Sequence, residues 1–137
     1  MPAREIVALL ALVAGILGPS ASGWAYEPEM NYKLHCMGCH TPDGSGVPDR
    51  VPSMRETLVP FAAQSEGRRY LVQVPGSAQS TLSDAELAQL LNWMIDSLSA
   101  TRGTFVPFTT SEVSQYRRHS LLDVRGTRER LLRTLAK

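Results

Sequence analysis

Apolar residues recur at helical spacing between residues 83 and 99. They fall at i, i+3, i+4, i+7, i+8 and i+11 and form one stripe: Leu87, Leu90, Leu91, Met94, Ile95 and Leu98. Ser83 stands before this stripe with Glu86 three residues later, which is the capping-box pattern of a helix start. The pattern therefore predicts a helix over residues 83–99, with its apolar side in a core.

The segment that follows has a different pattern. Residues 101–108 contain Gly103 and Pro107, which exclude a helix and predict an extended linker. A second capping box at residues 109–112 predicts a helix that runs to about His119. Residues 123–135 again carry apolar positions at helical spacing. We therefore expect residues 101–137 to form a helical C-terminal extension.

The N-terminal segment has the layout of a secretory signal peptide. Arg4 precedes an apolar run from Ile6 to Leu17, and small residues end the segment at Ala25. Twelve apolar residues span about 18 Å as a helix, whereas the hydrocarbon core of a bilayer is about 30 Å thick. We expect residues 1–25 to be removed near Ala25 and the protein to be periplasmic. The alternative is a retained anchor, and membrane contact is expected only in that case.

Composition adds bounds on size and partners. The chain has 137 residues, of which 43% are hydrophobic and 20% charged, and these values fit one soluble globular domain. The formal net charge of +1 gives no case for nucleic-acid binding. Charge is uneven, since residues 117–137 carry +5 and residues 26–116 carry −4. This basic stretch is either a solvated helix face or a docking surface for an acidic partner or anionic lipid.

The two cysteines of the chain lie in one pentapeptide, Cys36-Met37-Gly38-Cys39-His40. A disulfide staple, a thioredoxin-like redox pair and a zinc site are alternatives, but each lacks the partners or the strand context that it needs. The pattern C-x-x-C-H is the attachment signature of haem c and uses every residue of the motif. Two thiols three positions apart face one side of a helical turn. We therefore predict that Cys36 and Cys39 hold one haem c covalently and that His40 binds its iron.

On these residues the chain resembles the single-haem c-type cytochrome family over about residues 29–99. The resemblance is carried by a short helix before the motif, the motif itself, the loop Thr41-Pro42-Asp43-Gly44-Ser45-Gly46-Val47-Pro48, a middle helix around residues 69–72 and the helix at 83–99. It implies a small all-α fold around one covalent haem. It also implies that the helices at 30–36 and 83–99 pack across each other, with Trp93 near the contact.

The chain departs from that family in the loop before the helix at 83–99. Related electron carriers place an iron-binding methionine there, but residues 72–82 contain neither methionine nor histidine. The candidates for the second axial position are Met54, Met94, His119, or no protein ligand. A thioether favours reversible electron transfer, and an open position lets small molecules bind.

We therefore expect a signal peptide at 1–25, a cytochrome c domain at 26–100 and a basic helical extension at 101–137. The expected function is periplasmic electron transfer between a dehydrogenase or another cytochrome and a downstream acceptor, so the protein would be a carrier rather than an enzyme. The alternative is a haem protein with an open coordination site that senses small ligands or reduces peroxide.

Overall fold

A computed structural model describes residues 26–136 of the chain, and the expected signal peptide lies outside this range. Seven α-helices follow one another within it: α1 (Pro28–His35), α2 (Leu58–Ala62), α3 (Ser65–Gln73), α4 (Pro75–Ala78), α5 (Asp84–Leu98), α6 (Thr110–Arg117) and α7 (Val124–Leu135). The described part contains no strand beyond an isolated bridge between Val47 and Val51. The all-α prediction is therefore confirmed for these residues. None of the helices in this range is long and apolar enough to cross a bilayer.

Helix α5 is the central element of the fold. Its predicted capping box is present, because the Ser83 hydroxyl accepts from the Glu86 amide at 3.2 Å and a Glu86 carboxylate oxygen accepts from the Ser83 amide at 2.8 Å. All six residues of the predicted apolar stripe are buried. They form the main core together with side chains of α1, α2 and the later segment.

The expected contact between the helices before the motif and at 83–99 is confirmed by α1 and α5. Tyr32 of α1 is 1% exposed and its ring centroid lies 5.6 Å from that of Trp93 on α5. The Tyr32 hydroxyl donates a hydrogen bond of 2.6 Å to the carbonyl oxygen of Thr41. Tyr32 therefore ties α1 both to α5 and to the chain just after the Cys36–His40 motif.

The C-terminal extension is helical as predicted, and it is built into the core. Residues 102–109 form neither helix nor strand, and Phe108 and Val113 belong to the same apolar cluster as α5. Asn92 of α5 holds this segment by accepting from the Phe108 amide at 2.7 Å and donating to its carbonyl oxygen at 3.0 Å. Leu131 of α7 packs with Phe61 and other side chains in a second cluster.

The sequence did not predict two of the helices. α2 contains Pro60, and α4 begins at Pro75. Proline is tolerated in the first turn of a helix because its missing N–H has no intrahelical partner there. α4 begins in this way and occupies part of the loop before α5, in which the resemblance stated above would place a methionine.

Candidate functional site

A cavity of about 360 Å³ opens between the Cys36–His40 motif and the helical core. Its wall is mainly apolar. Contributions come from the motif, from residues 50–54, from α2 and α3, from the buried side of α5 and from α7. It is therefore bounded on one side by the two thiols and on another by the C-terminal extension.

The three predicted site residues lie together on this wall. The chain continues as helical turns beyond α1, since the Cys36 amide donates to the Tyr32 carbonyl at 2.9 Å and the His40 amide donates to the Cys36 carbonyl at 2.9 Å. These turns bring Cys36, Cys39 and His40 to the same cavity. Both cysteines are free thiols, Cys36 half-buried and Cys39 exposed.

Burial sets the electrostatics of this wall. Desolvation raises the pKa of the Cys36 thiol to about 11 and lowers the pKa of the His40 imidazole. The His40 Nδ1 atom is buried and has no hydrogen-bond partner in the described part of the chain. A buried polar nitrogen without a partner is costly unless a ligand satisfies it. The donor set and the cavity therefore fit a haem bound through two thioethers and one imidazole.

A hydrogen-bonded loop fixes the chain after His40. The Asp43 carboxylate accepts from the hydroxyls of Thr41 and Ser45, both at 2.8 Å, and these bonds lower the pKa of Asp43 to about 2. Gly46 has a φ of 74°, and a Cβ there would lie 2.3 Å from the carbonyl oxygen of Val51. Only glycine fits this close approach.

The same loop places Met54 at the cavity. The Met54 amide donates to the Gly44 carbonyl at 3.0 Å, and the Arg55 guanidinium donates to the Asp43 carbonyl at 2.9 Å. Met54 is half-buried on the cavity wall. The loop after the motif thus carries a thioether back to the site.

The side chains predicted as candidates for the second axial position of a haem differ in whether they line the cavity. Met54 and Met94 both line the cavity, and Met94 is 8% exposed within the core. His119 is exposed beyond the end of α6, and the cavity wall formed by residues 26–136 does not include it. His35, at the end of α1, also lies on the wall. Of the three candidate side chains, the structure thus brings two methionines to the site.

Sequence reasoning missed Arg128 on α7 and the aromatic residues Phe61 and Tyr70, which also line the cavity. Val124, Arg128 and Leu131 fall at i, i+4 and i+7, so their shared helical face was a usable signal. The many arginines of this segment conceal that face, because in the sequence they resemble one basic surface. Arg117 is likewise not a free charge of a basic surface, because it pairs with Asp84 at 2.9 Å and donates to the Ser80 carbonyl at 2.8 Å.

Within residues 26–136 no group of three or more histidine, cysteine, aspartate or glutamate side chains could hold a metal ion. Comparisons with protein-family profiles, with curated proteins and with solved structures found no match to the chain. The site is therefore described by its own residues: two free thiols, an imidazole with a buried nitrogen, and two thioethers around an apolar cavity.

Proposed function

We propose that the chain is a single-haem c-type cytochrome that transfers electrons in the periplasm. The observation that carries the proposal is the shared cavity wall of Cys36, Cys39 and His40, where His40 Nδ1 is buried without a partner. The contact of α1 with α5 and the chain order motif, loop, closing helix agree with the resemblance to that family. Under this proposal residues 26–100 hold the cofactor and residues 101–137 support it.

Each residue of the site has a defined role in this proposal. Cys36 and Cys39 would hold the haem through thioether bonds, and His40 would bind its iron. When bound, the haem supplies an iron centre that changes its charge by one electron. The Tyr32 hydroxyl fixes the backbone next to His40 through its 2.6 Å bond to the Thr41 carbonyl. The apolar side of α5 keeps water from the cavity and so helps to set the potential.

Met54 is the side chain that we propose for the second axial position. It lies on a loop whose backbone is held by Gly44, whereas Met94 is packed in the core with the other residues of the α5 stripe. A side chain on a loop reaches a ligand with less disruption of packing than one in a close-packed core. Thioether ligation suits rapid electron exchange with a dehydrogenase or another cytochrome on one side and a downstream acceptor on the other.

Mass spectrometry of the denatured protein tests the haem proposal. The full chain is exported from a bacterium that attaches haem c, and we expect the mature protein to keep one haem mass after denaturation and reduction. Cys36→Ser and Cys39→Ser should each lose one thioether bond, and the double variant should lose all covalent haem. His35→Gln, at the cavity wall but outside the attachment pattern, is the matched control and should retain it. A wild-type mass equal to that of the bare mature chain would refute the proposal.

Optical spectra separate electron transfer from ligand binding. With Met54 bound, the reduced spectrum should not change with CO, and the ferric protein should show the charge-transfer band of thioether ligation. Met54→Ala should lose this band and bind CO, while Met94→Leu should behave as the wild type. CO binding by the wild-type protein would instead favour the sensor or peroxide-reducing function.

A further inference from the structure

Arg128 extends from α7 to the cavity, far from the Cys36–His40 motif in sequence. Its Nη2 atom donates to the carbonyl oxygen of Ser53 at 2.9 Å, and its guanidinium carbon lies 5.8 Å from the centroid of the Phe61 ring. Its Nη1 atom is buried and has no hydrogen-bond partner in the part of the chain that the structure describes. The backbone thus holds the Nη2 side of the guanidinium, while the Nη1 side is enclosed and makes no hydrogen bond within the described residues.

A buried guanidinium nitrogen without an acceptor destabilises the fold unless a ligand accepts its hydrogen bond. A buried donor on a charged group loses its hydration, and the penalty is larger than for a neutral donor. Arg50 also lines the cavity, but it is exposed and water can solvate it. The Glu56 carboxylate accepts from the Ser53 hydroxyl at 2.6 Å, and this bond is the largest cause of its lowered pKa, whereas the charge of Arg128 is the smallest. Arg128 is therefore the cation of this wall that most needs an anion.

We propose that Arg128 binds a propionate carboxylate of the haem, and that the C-terminal extension is thereby a part of the cofactor site. The inference rests on the proposed function. A planar guanidinium matches the geometry of a carboxylate, and a hydrogen bond between charged groups in an enclosed site is a strong one. The Ser53 carbonyl and the Phe61 ring hold the guanidinium in place, so little side-chain freedom is lost on binding.

The pairing has an electrostatic consequence for the iron. An ionised propionate stabilises the oxidised form of the haem, which carries one more positive charge, and the Arg128 cation offsets that stabilisation. Removal of Arg128 leaves the propionate charge uncompensated and stabilises the oxidised form. The midpoint potential should then fall.

Redox titration of the matured full-length protein tests this inference. Arg128→Gln should lower the midpoint potential by up to about 59 mV, a tenfold change in the oxidised-to-reduced ratio for one electron. Arg128→Lys keeps the charge and should retain most of the wild-type potential. Arg125→Gln, on the same helix but exposed, changes the net charge equally and should leave the potential within a small fraction of that shift. If Arg128→Gln does not accumulate, Arg128→Met replaces it with the same expected fall.

The outcomes distinguish this inference from the function on which it rests. Equal potentials for Arg128→Gln and Arg125→Gln, with haem attached to both, would overturn the role of Arg128 and leave the cytochrome proposal intact. A fall in Arg128→Lys as large as in Arg128→Gln would overturn it as well, because packing rather than charge would be responsible. Absence of covalent haem from the wild-type protein would overturn both.

Discussion

The ion pair between Arg68 on α3 and Glu112 on α6 joins the C-terminal extension to the rest of the fold. Its two hydrogen bonds are both 2.6 Å long, and the side chains are only 12% and 20% exposed. Arg68 also donates to the carbonyl oxygens of Ala62 and Val106, and it lies 4.0 Å above the Phe108 ring. Glu112 is therefore the only anion in a set of contacts that fixes the extended segment.

Glu112→Gln keeps the size of the side chain and one acceptor oxygen while it removes the charge. A hydrogen bond to a charged group contributes about 1.5–3 kcal/mol, and the three carbonyl partners that Arg68 keeps limit the penalty of the lost carboxylate. We expect the free energy of unfolding to fall by about 2 kcal/mol. For a domain of this size that corresponds to a melting temperature lower by roughly 10 °C.

Urea and thermal unfolding of the protein, followed by far-ultraviolet circular dichroism, measure this loss. Glu129→Gln is the matched control, since Glu129 is exposed on α7 and the charge change is the same. The control should lie within about 0.5 kcal/mol of the wild type. A Glu112→Gln variant as stable as the control would show that the half-buried Arg68–Glu112 pair does not hold the extension.

Three further predictions concern the cap of α5 and the loop after the motif. Ser83→Ala should destabilise the protein by about 1 kcal/mol in urea unfolding while Ser83→Asp restores most of it, and equal losses would contradict the capping role. Gly46→Ala should cost about 2 kcal/mol, because the added Cβ meets a backbone carbonyl at 2.3 Å, whereas Gly76→Ala, with no atom within 4 Å, should cost nothing measurable. The pKa of Asp43 is depressed to about 2, so its carboxylate stabilises the fold above about pH 4 and this contribution is lost as the pH falls towards 2. Asp43→Asn should therefore flatten the stability curve between these values, and a slope as steep as that of the wild type would refute the assignment.

The parts of the fold that sequence reasoning predicted are those with local signals. The cap and the six-residue stripe specify α5 within one segment, and Asp123 caps α7 by accepting from the Gly126 amide at 2.9 Å. Thr109 likewise caps α6, but only half of the predicted capping box forms. The Glu112 side chain goes to Arg68 instead, since the buried cation competes for it. A tertiary contact has replaced a local one.

The parts that escaped prediction depend on contacts between elements. A Cβ on Gly67 of α3 would lie 2.3 Å from the Phe61 carbonyl of α2, so these two short helices pack closely only because position 67 is a glycine. The Cys36–His40 motif could be recognised from the sequence because its prediction depends only on the spacing of two cysteines and one histidine within five residues. The contact of Arg128 with the cavity wall could not be recognised in this way, because its partner Ser53 lies 75 residues away along the chain.

That separation has a consequence for the order in which the molecule assembles. Contacts between neighbouring segments form early in folding, and closing a long loop costs entropy before its contacts are gained. The turn that bears the thiols and the loop that carries Met54 are local, whereas the α7 wall closes across 75 residues. In a chain that emerges from its N-terminus, the wall from α7 is completed last. Until α7 docks, the cavity remains open on the side that Arg128 closes.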